Sequence, residues 1–116
     1  MQGIYNKSKK TVLAKQFGTC KTPWSKARGL MFSKIKPLVF LFPTERLIRL
    51  HSFFVFAPID LVFLNKKGFV VDLKQGWKPF SFYCSKRKAA ILLELPVGTI
   101  KSSKTELGDK IIIKKK

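Results

Sequence analysis

From residue 37 onward the chain is a series of apolar runs of five to seven residues, each cut short by a turn former. No fold that relies on long helices can be written on that pattern. The runs cover residues 38–42, 51–56, 60–64, 69–73 and 89–95, and they are rich in Phe, Val, Ile and Leu. Such residues suit a pleated surface, and the short lengths suit strands. Asn65-Lys66-Lys67-Gly68 joins two of the runs, with Gly68 supplying the positive φ of a tight hairpin loop. Pro58 lacks the N–H that a ladder needs, so residues 53–63 read as two strands meeting at a bend.

The rest of the chain fits around this core. Residues 11–17 read as a first strand ended by Gly18, and Pro96-Val97-Gly98 as a turn. Thr22-Pro23 gives a helix start, with Trp24, Ala27 and Met31 on one face of a short helix over 23–32. A second short helix is predicted over 99–107, closed by Gly108, and a last strand over 110–114. The expectation is a mainly β, jelly-roll-like sandwich or barrel of six to seven strands with one or two small helices. At 116 residues it forms one domain, 1–116, with residues 114–116 as a basic tail.

Composition matters at two points. Hydrophobic residues make up 46% of the chain, including 11 Phe, which is enough to bury a core in spite of the charge. That charge is large, because 24 basic against 6 acidic residues give +18. It is spread along the whole chain and carried by 20 Lys against four Arg, whereas base readout favours Arg. Weak, salt-sensitive binding of polyanions is therefore expected, without sequence preference. The longest nearly apolar stretch, residues 52–64, falls short of the ~20 residues a membrane helix needs. Lys7, Lys9 and Lys10 precede only Val12-Leu13-Ala14, too short an apolar region for a secretion signal. The expectation is a cytoplasmic monomer that does not engage membranes.

Six motifs in one order carry a resemblance. They are Arg28-Gly29-Leu30-Met31, His51-Ser52-Phe53-Phe54, Pro58-Ile59-Asp60-Leu61-Val62-Phe63-Leu64, the Gly68 hairpin, Leu93-Glu94-Leu95-Pro96-Val97-Gly98 and Gly108-Asp109. In order and spacing the chain resembles the domain-of-unknown-function family 192 from about Val12 to Ile113. The resemblance implies a small β-rich sandwich and no established biochemical role. Two departures concern a site. Val55 and Phe56 stand where members usually carry Met followed by a basic residue, and Trp77-Lys78 is the nearest equivalent of a Trp-Arg pair.

Candidate chemistry is sparse. His51 is the sole histidine and lies nine residues before Asp60, across the Pro58 bend, so the two are expected close together with Arg28 approaching from the helix. Arg28, His51, Asp60 and Trp77 are the binding candidates, and Glu94, set between Leu93 and Leu95, is a second carboxyl that needs a partner or a pocket. Lys86-Arg87-Lys88, flanked by Tyr83 and Trp77, is the best nucleic-acid contact patch. Cys20 and Cys84 stand apart without a paired-cysteine motif, so free thiols and no metal or cofactor are expected. No nucleophile elbow or carboxylate dyad argues for an enzyme. The sequence reading is a small binding or interaction module of unknown ligand. A nonspecific nucleic-acid-associated protein ranks second, and a hydrolase-like use of His51 and Asp60 third.

Overall fold

The computed structural model describes residues 2–21, 35–53 and 55–115. The helix expected over 23–32, Arg28 within it, and Phe54 lie outside the described residues.

Among the described residues, ten strands and one short helix follow in chain order. The strands are β1 (Gly3–Asn6), β2 (Thr11–Ala14), β3 (Gly18–Cys20), β4 (Leu38–Arg46), β5 (Arg49–His51), β6 (Ile59–Leu64), β7 (Val70–Trp77), β8 (Phe82–Cys84), β9 (Ala89–Pro96) and β10 (Ile111–Lys114). The helix α1 (Thr99–Ser103) lies between β9 and β10. They build a five-stranded sheet ordered β3-β4-β9-β6-β7, a three-stranded sheet β10-β1-β2 and a two-stranded ribbon β5-β8. All pairings are antiparallel except β3 with β4. The mainly β architecture expected from the apolar runs is the one observed, as stacked sheets rather than a closed barrel.

Two apolar clusters, one on each face of the five-stranded sheet, explain the layering. Leu38, Phe40, Leu61, Phe63 and Leu92 point to one face, where Ile48 and Val55 join them and Leu50 and Tyr83 of the ribbon pack on top. Val39, Val62, Leu64, Leu93 and Leu95 point to the other, against Ile4, Leu13, Ile111 and Ile100 of the three-stranded sheet and helix. Period-two alternation sends neighbouring residues of one strand to opposite layers. A strand covered on both sides must then be apolar throughout, and all six residues of β6 are buried.

Several elements differ from the sequence reading, each for a local reason. β1, β3 and β8 are additions to it, and β5 meets the predicted run only at His51. Gly18 opens a strand rather than ending one, because its N–H donates to the Pro37 carbonyl and β3 then runs parallel beside β4. β4 passes through Pro43, at the place where its register with β9 breaks between Leu41 and Arg46, so the missing N–H is not called on. Among the described residues of the run at 51–56, none past His51 is in a strand. Its pairing partner β8 comes from the 80s, and the segment after it turns back on Ser52, whose carbonyl accepts from Val55 and Phe80 N–H. α1 stops at Ser103 because Lys104 takes a left-handed conformation, and Gly108 serves instead in the turn before β10.

Candidate functional site

Asp60 is wholly buried on β6, and alternation points it, with Val62 and Leu64, to the helix side of the sheet. The β6–β7 register slips between Ile59 and Leu61, and in that bulge the N–H of Gly76 donates to Asp60 Oδ1 at 2.9 Å. The other oxygen, Oδ2, accepts from Gly98 N–H at 3.1 Å and Ile100 N–H at 2.9 Å, capping α1 from the neighbouring strand. Asp60 is thus a structural knot joining β7, the turn after β9 and the helix.

His51 ends β5 on the opposite side. It is exposed, with Phe82 as its register partner and its ring 5.1 Å from that of Phe53. The ribbon that carries it packs through Leu50 and Tyr83 on the far face of the sheet from Asp60. The expected His51–Asp60 pair is therefore not formed: Pro58 does bend the chain, but it sends the two arms to different layers.

Trp77 lies on the ribbon side. It is buried at the end of β7 opposite Ile59, and its Nε1 has no hydrogen-bond partner among the described residues. A buried indole N–H left unpaired costs ~1–3 kcal/mol. Glu94 shares that face. It stands opposite Leu38 on β4 and Leu61 on β6, in alternation with Leu92. Burial alone pushes its carboxyl up to about 8, so the group stays protonated at neutral pH. Glu94 and Trp77 sit two strand spacings apart, about 10 Å across the sheet, and one side-chain repeat along it.

Cys20, buried on β3 opposite Phe40, completes the edge of this face. Burial, and then the nearby Glu94, push its thiol up, while Lys36 pulls it down, which places all three groups in one neighbourhood. Cys84 is exposed on the ribbon, and the two cysteines are separate free thiols. On this face, beneath the ribbon, the buried side chains of Leu38, Ile59 and Leu61 surround an acid that can both donate and accept, an indole donor and a thiol. The face holds no activated nucleophile. Among the described residues no group of three or more His, Cys, Asp or Glu has the arrangement of a metal site, and no helix is long and apolar enough to cross a membrane.

A groove of about 610 Å³ lies elsewhere, on the three-stranded sheet, lined by Tyr5, Asn6, Lys7, Lys10, Thr11, Val12, Ile112 and Lys114. Lys86, Arg87 and Lys88 are exposed just after the ribbon. The orphaned Trp77 N–H is invisible to sequence reasoning, since satisfaction of a hydrogen bond depends on the neighbours a fold supplies. Glu94 is flagged by sequence without a site, and the signal available is the placement of that carboxyl inside an apolar strand.

The model of the uncharacterized ACR family DUF192 matches residues 4–113. The chain belongs to DUF192. A UPF0127 protein of Thermococcus sibiricus is 36% identical over 112 residues, covering 93% of this chain and 72% of the relative. The UPF0127 protein PH1112 of Pyrococcus horikoshii is 42% identical over 89 residues, covering 74% and 76%. Two crystal structures share the DUF192 fold seen here. A Sinorhizobium meliloti protein described as a proposed transcription regulator superposes with a TM-score of 0.84 at 21% identity, covering 95% of this chain and 89% of its own. A protein of unknown function from Novosphingobium aromaticivorans gives 0.76 at 19%, covering 83% and 73%. At these identities the likeness concerns architecture alone.

Proposed function

We propose that this DUF192 chain is a binding module for a small uncharged molecule, taken up on the sheet face that carries Glu94 and Trp77. The observation that supports it is the pairing, on one apolar face, of a buried acid kept neutral by its surroundings with a buried indole N–H that lacks a partner among the described residues. Folding rarely leaves such groups unmatched, and a ligand is one way to match them. A protonated carboxyl offers one donor and one acceptor side by side, which is the complement of a carboxamide. Trp77 N–H adds a donor for a second oxygen, and the surrounding aliphatic side chains suit an apolar body.

Ligand-observed NMR with a set of neutral aromatic and aliphatic carboxamides tests this. Binding to the wild type is expected, with loss in Glu94→Leu and weakening in Trp77→Phe, which keeps an aromatic ring but removes the N–H. No binding to the wild type, or equal binding to both variants, overturns the reading.

Association with nucleic acid is the second reading, favoured by one feature of the surface. Of the six acidic side chains, Asp60, Asp72, Glu94 and Asp109 are buried. Exposed Glu45 accepts from Lys66 N–H and exposed Glu106 pairs with Lys9, so the outer surface is close to purely cationic.

A further inference from the structure

We infer that the outer face of the β5–β8 ribbon is a stacking surface for single-stranded nucleic acid, with Phe82, His51 and Phe53 as the rings that receive bases and Arg49 as the cation beside them. The inference is independent of the Glu94 site, which lies under the ribbon's other face.

Alternation divides the ribbon. Leu50 and Tyr83 turn inward onto the core, while Arg49 and His51 on one strand and Phe82 and Cys84 on the other turn out. Register sets His51 directly opposite Phe82 and Arg49 opposite Cys84. Phe82 is 75% exposed, more than any other large apolar side chain described. The ring of Phe53 lies 5.1 Å from His51, 5.2 Å from Phe82 and 6.3 Å from Phe80, and Phe80 itself is 58% exposed. The surface is thus a run of neighbouring rings on and beside the strand pair, with Phe53 half-buried and His51, Phe80 and Phe82 exposed. Soluble proteins seldom expose connected aromatics on that scale without a partner.

Charge identifies the partner. Lys86, Arg87 and Lys88 continue from β8 and are exposed, and neither exposed carboxylate, Glu45 or Glu106, belongs to the ribbon. A second copy of a +18 chain is repelled from such a face, and an anionic partner is drawn to it. Between polyanions, the interleaving decides. Arg49 and His51 sit within the patch at alternate positions, so a lipid surface would have to take a guanidinium and an imidazole in among the phenyl rings. Bases stack on Phe and His rings while Arg49 meets a phosphate or stacks in turn. A duplex hides its base faces, so the surface selects single strands.

Fluorescence anisotropy of the full chain with a labelled oligothymidylate of about 12 nucleotides, against a duplex of equal length at about 100 mM salt, tests the inference. The single strand is expected to bind more tightly than the duplex, and Phe82→Ala to weaken it about tenfold, within the range for removal of one stacked base, with Phe82→Trp restoring it. Phe82 is exposed, so the variants fold, and equal melting temperatures check it. The oligonucleotide should also slow alkylation of the exposed Cys84 and leave buried Cys20 unaffected. Equal affinity for single strand and duplex, or unchanged affinity in Phe82→Ala, overturns the inference. So does a Phe82-dependent binding to phosphatidylglycerol vesicles with oligonucleotide binding unaltered, which would assign the face to membranes.

Discussion

Two buried acids on neighbouring central strands are handled in opposite ways. Asp60 receives three backbone N–H groups, and Glu94 receives none among the described residues. Asp60→Asn keeps one carbonyl acceptor but sets an amide against N–H donors, so a destabilisation of about 2–4 kcal/mol is expected, read as a lowered melting temperature. Arg28, the partner expected from sequence, lies outside the described residues. For Glu94 the effect runs the other way. Its folded value near 8 lies above the ordinary 4.5, so the native state holds a proton that the unfolded chain releases between those pH values. Stability is therefore highest below about pH 4.5 for this group, and falls as pH rises toward 8, by a few kcal/mol in order of magnitude. Glu94→Gln should flatten that fall and melt higher than the wild type at pH 9. Thermal melts at pH 5 and 9 decide it, and a wild type whose melting temperature does not drop would refute the assignment. Asp109, held low by Asn6, Lys9 and the Glu106 N–H in spite of its burial, gives up its contribution only on acidification through the carboxylate range, so the two windows do not overlap.

At the scale of elements, the three-stranded sheet is fastened to the turn before β10 by a buried network. Asn6 donates to Thr105 Oγ1 at 3.1 Å and to Asp109 Oδ2 at 2.9 Å, and its own oxygen accepts from Lys9 N–H. Asn6→Ala takes one donor from Asp109, which keeps Lys9 Nζ and the Glu106 N–H, and leaves the Lys9 amide without its acceptor, so a destabilisation of about 1–3 kcal/mol is expected by denaturant titration. Gly68 is a second fastening. Its φ is 91°, and a Cβ there would sit 2.9 Å from the Ile111 carbonyl oxygen, so Gly68→Ala should also destabilise, by more than the ~1 kcal/mol ordinary glycine replacements change. The sequence told of β6, β7 and β9 and of the Gly68 hairpin, because strands covered on both faces must be apolar and a tight loop must relieve φ. It did not tell of β1, β3, β5 or β8. These are three or four residues long and polar in part, and are strands only because of the partners that pair with them. The same limit explains the site: that Asp60 needed partners was legible, but which layer His51 would occupy depended on pairing with Phe82, which lies beyond the Pro58 bend.

Across the whole molecule, carboxylates are consumed inside while cations stay outside. Four of six acids are buried and the other two are engaged, so a chain of net +18 presents its excess almost undiluted. Such a surface neutralises phosphates wherever it meets them, displacing condensed counterions rather than reading bases. Twenty lysines supply point charges, and only four arginines supply the planar fork that matches a base edge. Binding to duplex DNA is therefore expected at low salt with little preference for sequence, with log affinity falling linearly against log salt. Nonspecific affinities at physiological salt usually lie near ~1–100 μM. This charge-driven component does not use the ribbon's rings, so Phe82→Ala should leave duplex affinity and its salt slope unchanged even as it weakens single-strand binding. Exchanging Lys7, Lys10 and Lys114 of the groove on the three-stranded sheet for Gln should instead lower the slope, by up to about one unit for each phosphate that is no longer neutralised. Duplex titrations at a series of salt concentrations measure both. A sequence-selective, submicromolar site at physiological salt would contradict this account, since diffuse lysine charge has no geometry with which to choose a base.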